Sequence, residues 1–146
     1  MGNCPGSSGD RLSAMREMVE GTTQGRHLDV LTGDYLAELT MLILGKDTMK
    51  DPSLGYARTF VKQLEDCLGL ALEKVVKLVA NAVVLNPAGL ADRVREVARG
   101  LGLDPQVAHV EGDDVRHLSP ENGGSLGALT ANAYLGGFGV GGDLGP

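Results

Sequence analysis

Residues 56–100 read YARTFVKQLEDCLGLALEKVVKLVANAVVLNPAGLADRVREVARG, and this stretch decides the fold. Its first part places Ala57, Phe60, Val61, Leu64, Cys67, Leu68, Ala71 and Leu72 at alternating steps of three and four. That spacing predicts a helix over 56–74 with one apolar face. Val75-Val76-Lys77-Leu78-Val79-Ala80 then supplies a β-branched run suited to a strand. Asn86-Pro87 is a helix-start signal, a capping side chain followed by proline at the first helical position. The helix to Gly100 carries Leu90, Ala91, Val94, Val97, Ala98 and Leu101 on one face, and Gly100 or Gly102 can close it. Helix, strand, helix in this order implies parallel strands joined by right-handed crossovers.

Working outward, Leu12, Met15, Met18 and Val19 form a helical stripe over 10–20, with Asp10 at the cap position. Leu28-Asp29-Val30-Leu31-Thr32 reads as a strand. Gly33-Asp34 turns into a helix over 35–44 that is apolar nearly all round, so burial is expected. Residues 46–55 read as a polar loop. Val107-Ala108-His109-Val110 reads as a last strand. The expected fold class is α/β, three-layer, with a mostly parallel sheet and helical crossovers. With no strand visible before residue 10 and only three in total, the domain reads as incomplete. Residues 1–118 are read as a partial, Rossmann-like α/β domain. Residues 119–146 hold nine of the 22 glycines and read as a loosely ordered tail.

Composition narrows the partners. Thirteen Lys and Arg against nineteen Asp and Glu give a net charge of −6, which argues against a nucleic-acid or anionic-membrane surface. Aromatics at 3%, with no Trp, leave few platforms for stacked bases. Two cysteines do not make a disulfide framework, and Cys67 reads as a small inert hydrophobe in a reduced, cytoplasmic chain. The longest strongly apolar stretch, Tyr35 to Leu44, is too short to span a membrane.

Ligands of parallel sheets bind at the carboxyl ends of the strands, and four polar segments are expected to meet there. Gly2, Asn3, Gly6, Gly9 and Asp10 belong to a glycine-containing loop that offers backbone N–H groups to an anion. The spacing matches neither GxGxxG nor the P-loop pattern. Asp34 stands where a carboxylate accepts ribose hydroxyls, and it reads equally as a helix cap, the reading its position favours. Asn81 and Asn86 offer amides; capping explains Asn86 and leaves Asn81 to account for. His109-Val110-Glu111-Gly112-Asp113-Asp114 puts Glu111, Asp113 and Asp114 forward for proton transfer or a divalent metal, with an ordinary solvated loop as the plainer reading. No zinc spacing and no GxSxG elbow is present.

The strings GDRLSAMREMVEG, LDVLTGDYLAELTMLILG, DPSLGYARTFVKQLEDCLGLALEK, KLVANAVVLNPAGLADRV, VAHVEGDD and ANAYLGGFG together resemble the amino-terminal region of the acyclic terpene utilisation family, AtuA type. The resemblance spans most of residues 2–114 and resumes at 131–139. It implies a role in bacterial breakdown of citronellol- and geraniol-type terpenes through acyl-CoA intermediates. It also implies a small-molecule metabolite as ligand, an acyl-CoA or a nucleotide. It supplies a pathway rather than a reaction. The family's domain is longer, so the chain reads as a fragment or short member, with its first strand before Met1. Two glycines usually stand where this chain has Val83-Val84, and valine suits a positive φ poorly. The alternatives are a non-catalytic scaffold subunit completed by a partner chain or a second copy, and an inactive truncated product.

Overall fold

The computed structural model describes residues 1–5, 11–21, 27–118, 128–133 and 137. The elements run β1 (Gly2–Pro5), α1 (Ala14–Glu20), β2 (Val30–Asp34), α2 (Glu38–Lys50), α3 (Arg58–Glu73), β3 (Lys77–Ala80) and α4 (Pro87–Gly100). The strands form one parallel sheet in the order β1-β2-β3. Gly2 pairs with Leu31 and Pro5 with Asp34, while Val30 pairs with Lys77 and Gly33 with Ala80. This is the expected α/β class with parallel pairing and helical crossovers.

The core forms where the stripe of α3 meets its neighbours. Phe60, Val61, Leu64, Cys67, Leu68 and Ala71 are all buried on α3. They join Met15 and Val19 of α1, Cys4 and Leu31 of the sheet, and Leu90, Val97 and Ala98 of α4. Strand side chains alternate between faces, so Cys4 and Leu31 point to these helices. Asn3 and Thr32 occupy the opposite face, where Thr32 Oγ1 donates to Asn3 Oδ1 at 2.8 Å. Burial pushes the Cys67 thiol up to about 12, which suits an inert packing residue.

Four expectations are corrected. A strand of the sheet lies at Gly2–Pro5, in a segment that reads locally as a turn. Gly2 and Asn3 are therefore paired strand residues, not members of a loop. Residues 107–110 form no strand; the Val107 carbonyl instead accepts from Arg95 Nη2 at 2.8 Å. Helix α2 begins later and runs farther than 35–44, through part of the expected polar loop. It is not buried all round: Leu44 and Gly45 are its buried residues.

Helices α3 and α4 end in the same geometry with different residues. On α4, Gly102 N–H reaches Arg99 O at 3.1 Å and Leu103 N–H reaches Ala98 O at 2.8 Å, with Gly102 at φ +71°. On α3, Val75 N–H reaches Leu72 O at 3.1 Å and Val76 N–H reaches Ala71 O at 2.8 Å, with Val75 at φ +58°. Both are Schellman closures, with the apolar contact that accompanies them supplied by Leu103 and Val76. A β-branched residue is strained in this left-handed conformation. Val75 is also 76% exposed, so its side chain contributes little burial. Val75→Gly is expected to stabilise the fold by about 1 kcal/mol, the relief of strain less the added freedom of the unfolded chain. Urea denaturation of both proteins measures it, and an unchanged or lowered midpoint refutes the account.

Candidate functional site

Strands β2 and β3 end side by side, and Asn81 locks their ends together. Its Oδ1 accepts the Tyr35 backbone N–H at 2.7 Å, and its Nδ2 donates to Asp34 Oδ1 at 2.7 Å. Its own N–H reaches Gly33 O at 3.3 Å. Capping left Asn81 unexplained; its position on the last turn out of β3 explains it. Asp34 is the exposed last residue of β2. It does not cap α2, whose N-cap is Ala37 with no side-chain bond, so the favoured sequence reading of Asp34 is corrected.

Immediately below Asp34, Tyr35 turns inward. Its hydroxyl donates to Gln63 Oε1, both residues being buried, and its ring meets Phe60 edge-on at 5.3 Å between centroids. Burial pushes the Tyr35 hydroxyl well above its ordinary range, so it stays a neutral donor.

The 81–86 loop is fixed from two sides. Ala57 N–H reaches Ala82 O at 2.7 Å and Val84 N–H reaches Gly55 O at 3.0 Å, with Tyr56 and Val83 paired antiparallel between them. Gly55 takes φ +105°, and a Cβ there would lie 2.7 Å from Thr48 Oγ1, so glycine is required. Among the described non-glycine residues Val75 alone has positive φ. Val83 and Val84 thus fit this loop without the strain expected for valine, and Val84 is buried. Asn86 caps α4 as its sequence predicts, accepting Gly89 N–H at 2.9 Å with Pro87 in the first turn. Its Nδ2 donates to Ser53 O at 2.9 Å.

The acidic segment reaches the same loop through Asn132. Residues 113–115 run antiparallel to 131–133, with Val115 N–H on Ala131 O at 2.8 Å and Ala133 N–H on Asp113 O at 2.7 Å. Asn132 Nδ2 lies 3.0 Å from Asp113 Oδ2 and 3.3 Å from Val84 O. Its Oδ1 is buried without a hydrogen-bond partner among the described residues. Val84 is three residues from Asn81, a span of at most about 11 Å. The structure therefore strings Asp34, Asn81, Val84, Asn132 and Asp113 along one rim. Gly6, Gly9 and Asp10 lie outside the described residues. Gly2 and Asn3 lie in the strand toward its start, away from this rim.

The three carboxylates proposed for catalysis have separate surroundings. Asp114 is held by Arg116 in a two-pronged pair, Nε to Oδ1 at 2.9 Å and Nη2 to Oδ2 at 2.7 Å. These bonds hold its carboxyl below the ordinary range. Exposed Glu111 lies 3.2 Å from His109 Nε2. Asp113 faces Asn132. Among the described residues no group of three His, Cys, Asp or Glu side chains is placed to hold a metal ion. A groove of about 330 Å³ opens beside this segment, lined by Gly45, Thr48, Met49, Arg116, Ala128 and Leu129.

Sequence reasoning missed Asn132, Arg116 and the Tyr35–Gln63 pair. Asn132 had a signal, since it lies in the ANAYLGGFG string. Gln63 had one too, as the polar residue interrupting the apolar face of α3.

Among the described residues no helix is long and apolar enough to cross a membrane. No curated protein and no solved structure matches the chain. Residues 1–144 match the family described as acyclic terpene utilisation family protein AtuA, a match that includes the three strands, the 81–86 loop and Asn132. The chain belongs to the acyclic terpene utilisation (AtuA) family.

Proposed function

We propose that this chain acts in the breakdown of citronellol- and geraniol-type acyclic terpenes, in the cytoplasm, and that its strand-end rim binds an anionic metabolite, an acyl-CoA or a nucleotide. Family membership over residues 1–144 carries the pathway part of this reading. The convergence of Asp34, Asn81 and Asp113 on one rim supports the binding part. The order β1-β2-β3 is also the order within one half of a doubly wound dinucleotide-binding sheet, where ligands sit beyond the carboxyl ends of the strands.

The roles follow from what each group has left to offer. Asp34 Oδ1 is engaged by Asn81, leaving Oδ2 to accept a ribose or other ligand hydroxyl. Asn81 positions that carboxylate. Asn86 sets the start of α4 against the Pro52–Ser53 turn and so fixes the end of the rim. Asp114 is committed to Arg116, so Asp113 and Glu111 are the carboxylates open to proton transfer.

Thermal denaturation with coenzyme A, straight and branched acyl-CoA thioesters and adenine nucleotides, with and without Mg²⁺, tests the binding site. A ligand at about 100 times its Kd adds about 2.7 kcal/mol of stability. The expected result is a raised Tm with one class, lost in Asp34→Ala. No shift with any class refutes the site. Growth of a gene-deleted host on citronellol and geraniol tests the pathway separately; undiminished growth refutes it.

A further inference from the structure

Helix α2 turns a coherent apolar face to solvent. Its exposed residues are Glu38, Leu39, Leu42, Ile43, Lys46, Met49 and Lys50. At 100° per residue these seven fall within one arc of about 140°. Leu39 is 68% exposed, Leu42 40%, Ile43 47% and Met49 73%. The intramolecular packing of α2 lies outside this arc: Leu44 is buried opposite its centre, and Gly45 is buried at its border, where it closes on Leu129 and Thr130. Single exposed leucines are ordinary, but four large apolar residues aligned on one helix mark a contact surface.

The charges on this face identify the occupant. Glu38 stands in the first turn and Lys46 and Lys50 in the last. Among the described residues none of the three has an ion-pair partner. Two copies of α2 laid antiparallel about a two-fold axis near Leu44 bring Glu38 opposite Lys50 and Leu39 opposite Met49, twice over. Such self-complementarity is what an isologous contact requires. A parallel arrangement stacks Glu38 on Glu38 and Lys50 on Lys50, and aligns the helix dipoles unfavourably. We propose that the chain self-associates through α2, as an antiparallel two-fold dimer. A helix of 13 residues is only about 20 Å long, so the contact lies at the small end of specific interfaces. The dimer is weak and reversible, with a Kd on the order of micromolar.

Sedimentation velocity of the full chain over a wide concentration range tests this. The expected mass rises with concentration from 15.2 kDa toward twice that value. Ile43→Glu abolishes the rise while leaving the circular dichroism melt unchanged, because Ile43 makes little core contact. Glu38→Lys and Lys50→Glu each weaken association, and the two together restore it, a rescue that only opposed ends produce. A monomer at every concentration overturns the proposal and leaves α2 to a different protein. A dimer indifferent to Ile43→Glu, or a charge swap without rescue, overturns it as well.

Discussion

Tyr35→Ala is expected to cost about 3–5 kcal/mol of folding free energy and to lower the Tm by roughly 10–20 °C. Three losses combine. The ring leaves a void beside Phe60, its edge-on partner. The buried apolar area goes with it. Gln63, itself buried on α3, is left holding an acceptor with no donor. A domain of this size has only about 5–15 kcal/mol in total, so the variant approaches the unfolding threshold at 37 °C. Tyr35→Phe separates the terms. It keeps the ring and removes only the hydroxyl, so its cost of about 1–3 kcal/mol is that of an orphaned buried polar group. Adding Gln63→Leu to Tyr35→Phe replaces both partners by apolar groups and is expected to recover most of that loss. Urea titrations of Tyr35→Phe, Gln63→Leu and the double variant complete the cycle. If Tyr35→Phe proves neutral, the hydroxyl pair contributes nothing and the account of Gln63 fails.

Asn81→Ala is expected to cost about 1–3 kcal/mol, since the Tyr35 N–H loses its acceptor and the Asp34 carboxylate its donor. Asn81→Asp is the more diagnostic change. One of its oxygens still accepts the Tyr35 N–H, but the other replaces an amide donor 2.7 Å from Asp34 Oδ1. Two carboxylates at that distance resist ionising together, so one proton of the pair is held to a higher pH in the folded state than in the unfolded chain. A folded pKa raised in this way gives stability that is complete below the unfolded carboxylate range and is lost as pH rises through the raised value. The variant should thus be least stable at neutral pH and approach the parent on acidification. Both groups are exposed, so solvent screening keeps the effect modest. Thermal melts of parent and variant from neutral to acid pH measure it. Parallel curves refute the clamp.

How far the sequence is legible depends on how local each signal is. Helices α3 and α4 are readable to within about two residues, because their apolar spacing and the Asn86-Pro87 start are properties of consecutive residues. Strand β1 is not readable that way. Gly2-Asn3-Cys4-Pro5 has no β-branched residue and three turn formers; it becomes a strand because β2 offers it a paired edge and the core receives Cys4. Residues 107–110 present the converse, a strand-like composition whose Val107 carbonyl is claimed by Arg95. Helix α2 misleads because an apolar composition signals that a surface will be covered without saying by what. The rim was legible in outline, through Asp34, Asn81 and the acidic run. The bond from Asn81 to Asp34 spans 47 residues, and that from Asn132 to Val84 spans 48, beyond the reach of any local pattern.

The sheet order carries a consequence for assembly. Because β1, β2 and β3 lie side by side in the order of synthesis, each strand docks on the one made just before it. Among the three described strands, none has to be threaded between two that are already joined. A chain emerging from the ribosome amino end first can therefore build this sheet by accretion, closing loops of moderate length one at a time.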